Sequence, residues 1–149
     1  MFGKKVLLVR LGTDLYALPI AEIEEVLPDL PIEAVPRCPD FVLGVVFVRG
    51  HLIPVVHARE RLGLTPRPGA DACNIVCLRI GARLIGVAFD EALDLMDLEP
   101  AEVLPASALG APEGFFTGVV ERAGRVIRLL DPAKLASAAE QEKWLQANS

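Results

Sequence analysis

Along this chain the apolar residues fall in short runs broken by glycine, and the same break recurs four times. Residues 6–11 and 15–20 flank Gly12, 45–48 and 52–56 flank Gly50, 75–80 and 84–89 flank Gly81, and 116–120 and 126–130 flank Gly124. Short runs rich in valine, leucine and isoleucine around a glycine turn predict hairpins, and hairpins in series predict an all-β barrel or sandwich. Several runs are apolar at nearly every position, as suits strands buried on both faces.

The hairpins also repeat. Residues 43–57 and 117–131 match without a gap at an offset of 74, with Gly44, Val45, Val46, Gly50 and Ile53 falling on Gly118, Val119, Val120, Gly124 and Ile127. Arg10, Gly12, Leu15 and Leu18 match Arg79, Gly81, Leu84 and Val87 at an offset of 69. Recurrence of this kind predicts two similar halves. Residues 65–72, which hold Pro66, Pro68, Gly69 and Ala70, make the best internal boundary. The expected organisation is one domain over 1–149, with a first subdomain over about 14–68 and a second over about 69–131 that shares the strand at 4–11.

Between hairpins, Ile23, Val26 and Leu27 stand at helical spacing, so residues 21–27 and their counterpart 91–98 are expected to form one or two helical turns. Pro28, Pro31, Pro36 and Pro39 make 28–40 an extended connector. Asp131-Pro132 is an N-cap followed by proline, and Leu135, Ala138, Ala139, Glu142 and Leu145 then share one face. A helix over 132–147 should close the chain.

Composition narrows the function. Of 149 residues, 52% are hydrophobic and mean hydropathy is +0.42, yet the longest uncharged apolar run, 41–48, is far below the ~18 residues of a membrane span. Membrane insertion is not expected. The apolar surplus suits a partner-binding patch. A net charge of −5 without a basic cluster argues against nucleic acid. Three cysteines and no signal-peptide pattern fit a reduced, cytoplasmic protein.

Candidate chemistry is thin. Cys73 and Cys77 on one strand would stand roughly 13 Å apart, too far for a disulfide or an easily shared zinc, and read as buried structural thiols. Cys38 has no base near it in sequence. His51 beside a turn reads as exposed. His57 and its counterpart Asp131 each precede a helical stretch, where capping explains them better than catalysis. Glu22, Glu24 and Glu25 read as a solvated face, and no phosphate-loop pattern occurs. Arg49 stands apart, at the corner of the most hydrophobic hairpin. It either keeps the turn hydrated or contacts a partner through its guanidinium.

The stretch Leu-Gly-Val-Val-Phe-Val-Arg-Gly-His-Leu-Ile-Pro-Val-Val-His at 43–57 resembles the signature hairpin of the CheW-like chemotaxis coupling proteins. So do Tyr16-Ala17-Leu18-Pro19, Glu24-Glu25-Val26, Val35-Pro36, Arg59 with Leu62-Gly63, Leu84-Ile85-Gly86-Val87 with Phe89-Asp90, Gly118-Val119 and Leu129-Leu130-Asp131. The likeness runs from residue 4 to about 136.

It implies two SH3-like five-stranded β-barrels packed together, and a non-catalytic adaptor without cofactor or metal. The implied partners are the cytoplasmic tip of a chemoreceptor (a methyl-accepting chemotaxis protein) and the regulatory domain of a CheA-type histidine kinase, with a monomer when free. By resemblance, Ile23, Val26, Gly44, Arg49 and Gly50 would meet the receptor. Glu25, Val56 and His57 would meet the kinase, with a second kinase contact at Val103, Leu104 and Leu109. Phe47 replaces the family's asparagine and His57 its aspartate. The alternatives are a pilus or gliding-motility pathway outside ordered arrays, a module tethered to kinase or response-regulator domains, and a small metal or thiol enzyme using Cys38, Cys73, Cys77, His51 and His57.

Overall fold

The computed structural model describes residues 4–28, 30–36, 42–64, 73–109 and 114–136. All four expected hairpins are present: β1 (Lys4–Leu11) with β2 (Asp14–Pro19), β4 (Val42–Val48) with β5 (His51–His57), β6 (Asn74–Ile80) with β7 (Arg83–Phe89), and β9 (Phe116–Arg122) with β10 (Arg125–Leu130). Two further strands, β3 (Ile23–Leu27) and β8 (Glu91–Leu98), occupy the segments expected to be helical. That expectation is corrected. Only a 3-10 turn at Ile20–Glu22 precedes β3, and another follows β8 at Pro100–Glu102. So short an isolated helix is marginal, whereas β3 gains a ladder on β6 and β8 a ladder on β1.

The ten strands make two five-stranded sheets, ordered β8-β1-β2-β10-β9 and β3-β6-β7-β5-β4. The all-β class holds, but the sheets are not closed barrels. At the β4 edge Glu33 forms an isolated bridge with Val45, and at the β9 edge Leu104 does so with Val119. These connectors stand where the first and last strands would otherwise pair. Each sheet still curls far enough to bury its concave face. Val46, Ile53, Val55, Ile75 and Cys77 form one such core, and Val6, Leu15, Ala17, Val120 and Ile127 the other. A third core lies between the sheets, where Leu7, Val9, Tyr16 and Leu18 meet Val76, Leu78, Val87 and Phe89. Strands β1, β2, β6 and β7 therefore bury both faces, which accounts for their unbroken apolar runs.

The repeat is real, but its halves are interleaved. Strand β3 leaves β2 and joins the sheet of β6, while β8 leaves β7 and joins the sheet of β1. The expected subdomains 14–68 and 69–131 do not follow the sheets, since β6 and β7 share a sheet with β3, β4 and β5. Equivalent pairings keep equal register. Leu129 lies opposite Ala17 as Val55 lies opposite Gly86, and β3–β6 and β1–β8 carry the same bulge.

The chain crosses between sheets at Asp90. Asp90 N–H donates to the Arg10 carbonyl (3.1 Å), and its Oδ2 accepts from Gly12 N–H (2.7 Å) and Arg59 Nη2 (2.9 Å). Burial raises the Asp90 carboxyl, but these donors outweigh it and hold the group below its usual range.

Helix α1 (Ala58–Arg61) begins after His57, whose Nδ1 accepts the Arg59 N–H at 3.2 Å. Helix α2 (Pro132–Ala136) begins after Asp131, whose Oδ1 accepts the Ala133 N–H at 3.0 Å. Both expected caps are formed. The remainder of the helix expected over 132–147 lies outside the described residues, as does Cys38.

Candidate partner-binding surface

The β4–β5 turn needs two consecutive residues with positive φ, and Arg49 (48°) and Gly50 (80°) supply them. The equivalent β9–β10 turn uses Ala123 (54°) and Gly124 (77°). The backbone form is shared, so the arginine side chain is not a requirement of the turn. It crosses instead to the far edge of its sheet and grips Glu25 of β3 with both guanidinium arms, Nη2 to Oε2 at 2.8 Å and Nη1 to Oε1. The hydrogen bonds from Arg49 hold the Glu25 carboxyl below its ordinary range, and Glu25 raises the guanidinium in turn. The pair links the two edges of the curled sheet, with Glu25 24% and Arg49 71% exposed. Beside it on β3, Arg79 Nε donates to Glu24 Oε1 at 2.8 Å.

Exposed apolar side chains accompany the pair. Val26 (41%) follows Glu25 on β3, and Phe47 (72%) lies across from Leu52 (54%) on β4 and β5. At the equivalent place the other sheet carries Glu121 opposite Val126. Phe47 is thus an apolar residue where the repeat has a charge, an interaction feature more than a folding one.

The candidate residues separate into three groups. Glu25, Val26, Arg49 and Gly50 come together around the ion pair. Ile23 is partly buried and packs on the inter-sheet core. Gly44 is buried where a Cβ would stand 2.1 Å from the Glu33 carbonyl oxygen, so its role is close backbone approach.

For Val56, a direct kinase contact is corrected: the side chain is wholly buried and offers a partner no surface. His57 is half-buried and occupied as a cap, and burial pushes its imidazole below 6.5. Val103 packs partly buried against the core of the β1 sheet, and Leu104, 50% exposed, bridges β9. Leu109 ends a 3-10 turn (Ala106–Leu109), and its side chain lies outside the described residues. Val103 and Leu104 sit on the opposite sheet from Glu25. The residues expected at the two kinase contacts therefore lie apart, Glu25 on one sheet and Val103 and Leu104 beside the other.

Sequence reasoning missed the pairing of Glu25 with Arg49 and the exposure of Phe47 and Leu52. Their cross-strand register follows from the two-residue turn, but the approach of β3 depends on the curl of the sheet. His51 is exposed as expected. Cys77 is buried and its thiol is pushed up to about 11, chiefly by desolvation, which suits an inert thiol. Cys73 is half-buried. Among the described residues no group of three or more His, Cys, Asp or Glu could hold a metal ion, and no helix is long and apolar enough to cross a membrane.

The family model for the CheW-like domain matches residues 5–140. The chain belongs to the CheW-like domain family. It is 25% identical over 140 residues to chemotaxis protein CheW of Klebsiella aerogenes, covering 93% of this chain and 84% of that one. It is 24% identical over 142 residues to chemotaxis protein CheW of Rhizobium meliloti, covering 94% and 92%. Protein FrzA of Myxococcus xanthus is 29% identical over 135 residues, covering 89% and 84%. In fold the chain is similar to the scaffolding protein TtCheW from Thermoanaerobacter tengcongensis, with a TM-score of 0.84 at 23% identity over 95% of this chain and 97% of that one. On this CheW-like fold the Glu25–Arg49 ion pair lies on an exposed edge, next to the exposed Val26 of the same strand.

Proposed function

We propose that this CheW-like protein is a non-catalytic adaptor that couples the cytoplasmic tip of a chemoreceptor to the regulatory domain of a CheA-type histidine kinase. The observation that carries the reading is the Glu25–Arg49 pair, a bidentate ion pair on an exposed edge with Val26, Phe47 and Leu52 on the same strands. A guanidinium held by one carboxylate, with exposed apolar side chains on the strands that carry the pair and its turn, supports recognition of an amphipathic segment. Two curled sheets locked by a shared core and the Asp90 network give a stiff body. Such a body can transmit the position of one partner to another. Val26 and Arg49 are assigned to the receptor, Glu25 to the boundary between partners, and Leu104 with its 3-10 turn to a second kinase contact on the opposite sheet.

The test is co-purification of the intact chain with a receptor tip fragment and with the kinase regulatory domain, for wild type and for Arg49→Glu and Glu25→Lys. Binding by wild type with selective loss of one partner in each variant supports the assignment. Failure of wild type to bind either partner refutes the adaptor reading, while two variants that bind both partners normally refute only the surface. A second reading, service in a chemosensory pathway other than flagellar swimming, draws on Phe47, on His57 and on the similarity to FrzA. Restored swimming in a flagellated bacterium lacking its own coupling protein would argue against it.

A further inference from the structure

At one end of the β1 sheet lies a cavity of about 390 Å³, walled by Val6, Ala17, Leu98 and Leu129 and edged by Lys4, Glu22 and Asp131. The other sheet shows what fills such a space. Equal registers carry Thr117 onto Leu43, Lys4 onto Cys73 and Val103 onto Ile32. There Ile32, Leu43 and Cys73, with Leu30, pack against the core. In the β1 sheet Val103 still packs, but Thr117 and Lys4 are exposed. The cavity is thus room for an aliphatic plug that the described residues do not supply.

Its wall is also charged unevenly, with two carboxylates against one ammonium. Glu22 Oε2 is cut off from solvent and has no hydrogen-bond partner among the described residues. An acceptor in that state calls for a donor that the described residues do not provide.

We propose that this cavity receives an aliphatic side chain from a partner polypeptide, with an adjacent lysine or arginine donating to Glu22. That the occupant is a polypeptide rests on the adaptor reading. Thr117→Leu copies the plug of the other sheet into the full-length chain. The expected result is a melting midpoint raised by about 2–4 °C. Affinity for one partner, kinase regulatory domain or receptor tip, falls about tenfold or more while the other changes less than about twofold. Glu22→Gln lowers the same affinity about fivefold at an unchanged midpoint.

Normal binding of both partners by both variants would overturn the proposal. So would self-association that sedimentation detects in wild type and that Thr117→Leu abolishes, since a second copy would then own the cavity. If wild type binds neither partner, the adaptor reading has failed by itself, and the cavity is tested with acetyl-leucyl-arginine amide. Amide NMR shifts confined to Val6, Ala17 and Leu98 and lost in Thr117→Leu support the site, and their absence overturns it.

Discussion

Gly44 and Gly50 belong to one hairpin and the resemblance implies one partner for both, yet their surroundings differ. At Gly44 (φ 151°) an added Cβ would meet the Glu33 carbonyl oxygen at 2.1 Å, whereas at Gly50 (φ 80°) nothing lies within 4 Å. Gly44→Ala should therefore cost about 2–4 kcal/mol and push the 30–36 connector off β4. Gly50→Ala should cost only about 1–2 kcal/mol of left-handed backbone strain. Urea denaturation checks both, and equal losses would contradict this account. Loss of partner binding in Gly44→Ala would report a displaced connector, not a lost contact.

His57 makes a different prediction. Burial lowers its folded-state pKa below the ordinary 6.5, so folding favours the neutral ring whose Nδ1 caps α1. Stability is complete above the unfolded value and declines as pH falls through it toward the folded value. Between about pH 7.5 and 5.5 wild type should lose about 0.5–1 kcal/mol that His57→Asp retains, because an aspartate remains an acceptor there. Parallel pH profiles for the two proteins in thermal melts would refute the link.

Among the elements, the seams deserve the most weight, because neither sheet closes through its backbone. Arg49 to Glu25 spans the open edges of one sheet. In the other, Arg122 Nη2 reaches the Asp97 carbonyl of β8 at 3.0 Å and Glu102 Oε1 at 2.5 Å. Both seams use an arginine at the end of the equivalent hairpin, one position apart in the repeat. Arg49→Glu should raise hydrogen exchange in β3 and weaken partner binding about tenfold or more. Glu25→Arg with Arg49→Glu should restore protection of β3 without restoring binding. If the reversed pair recovers binding as well, the seam alone is the function.

The hairpins, both caps and the two-faced burial of β1, β2, β6 and β7 were legible because periodicity and turn chemistry are local. Strands β3 and β8 were not, since Ile23, Val26 and Leu27 fit a helical spacing as well as a short strand, and only the ladders to β6 and β1 decide between them. The burial of Val56 follows from its place in the unbroken apolar run 52–56. Arg49 stands out in the sequence by its place at the corner of the most hydrophobic hairpin, but its partner Glu25 required knowing how the sheet bends.

At the scale of the whole molecule, the interleaving makes the halves inseparable. Residues up to 64 contribute β1 and β2 to one sheet and β3, β4 and β5 to the other, and residues from 73 onward do the reverse. A protease site placed within 65–72 and cut should leave a protein that elutes as one species and melts cooperatively, separating only in denaturant. Two fragments that part on a sizing column would contradict the described topology.

The equal registers and the shared bulges have one more consequence, which concerns ancestry. A lone five-stranded unit of this pattern cannot complete either sheet. It can do so only by lending its last three strands to a second copy and borrowing that copy's three in return. Two such chains would form a symmetric exchanged dimer. Joining them end to end leaves both sheets intact and frees each copy from the obligation to match the other. Thr117 no longer has to be Leu43, Ala123 no longer has to be Arg49, and Phe47 can stand where its twin keeps Glu121. The differences at Arg49 and Phe47 are of the kind that joining two self-matching units in one chain allows.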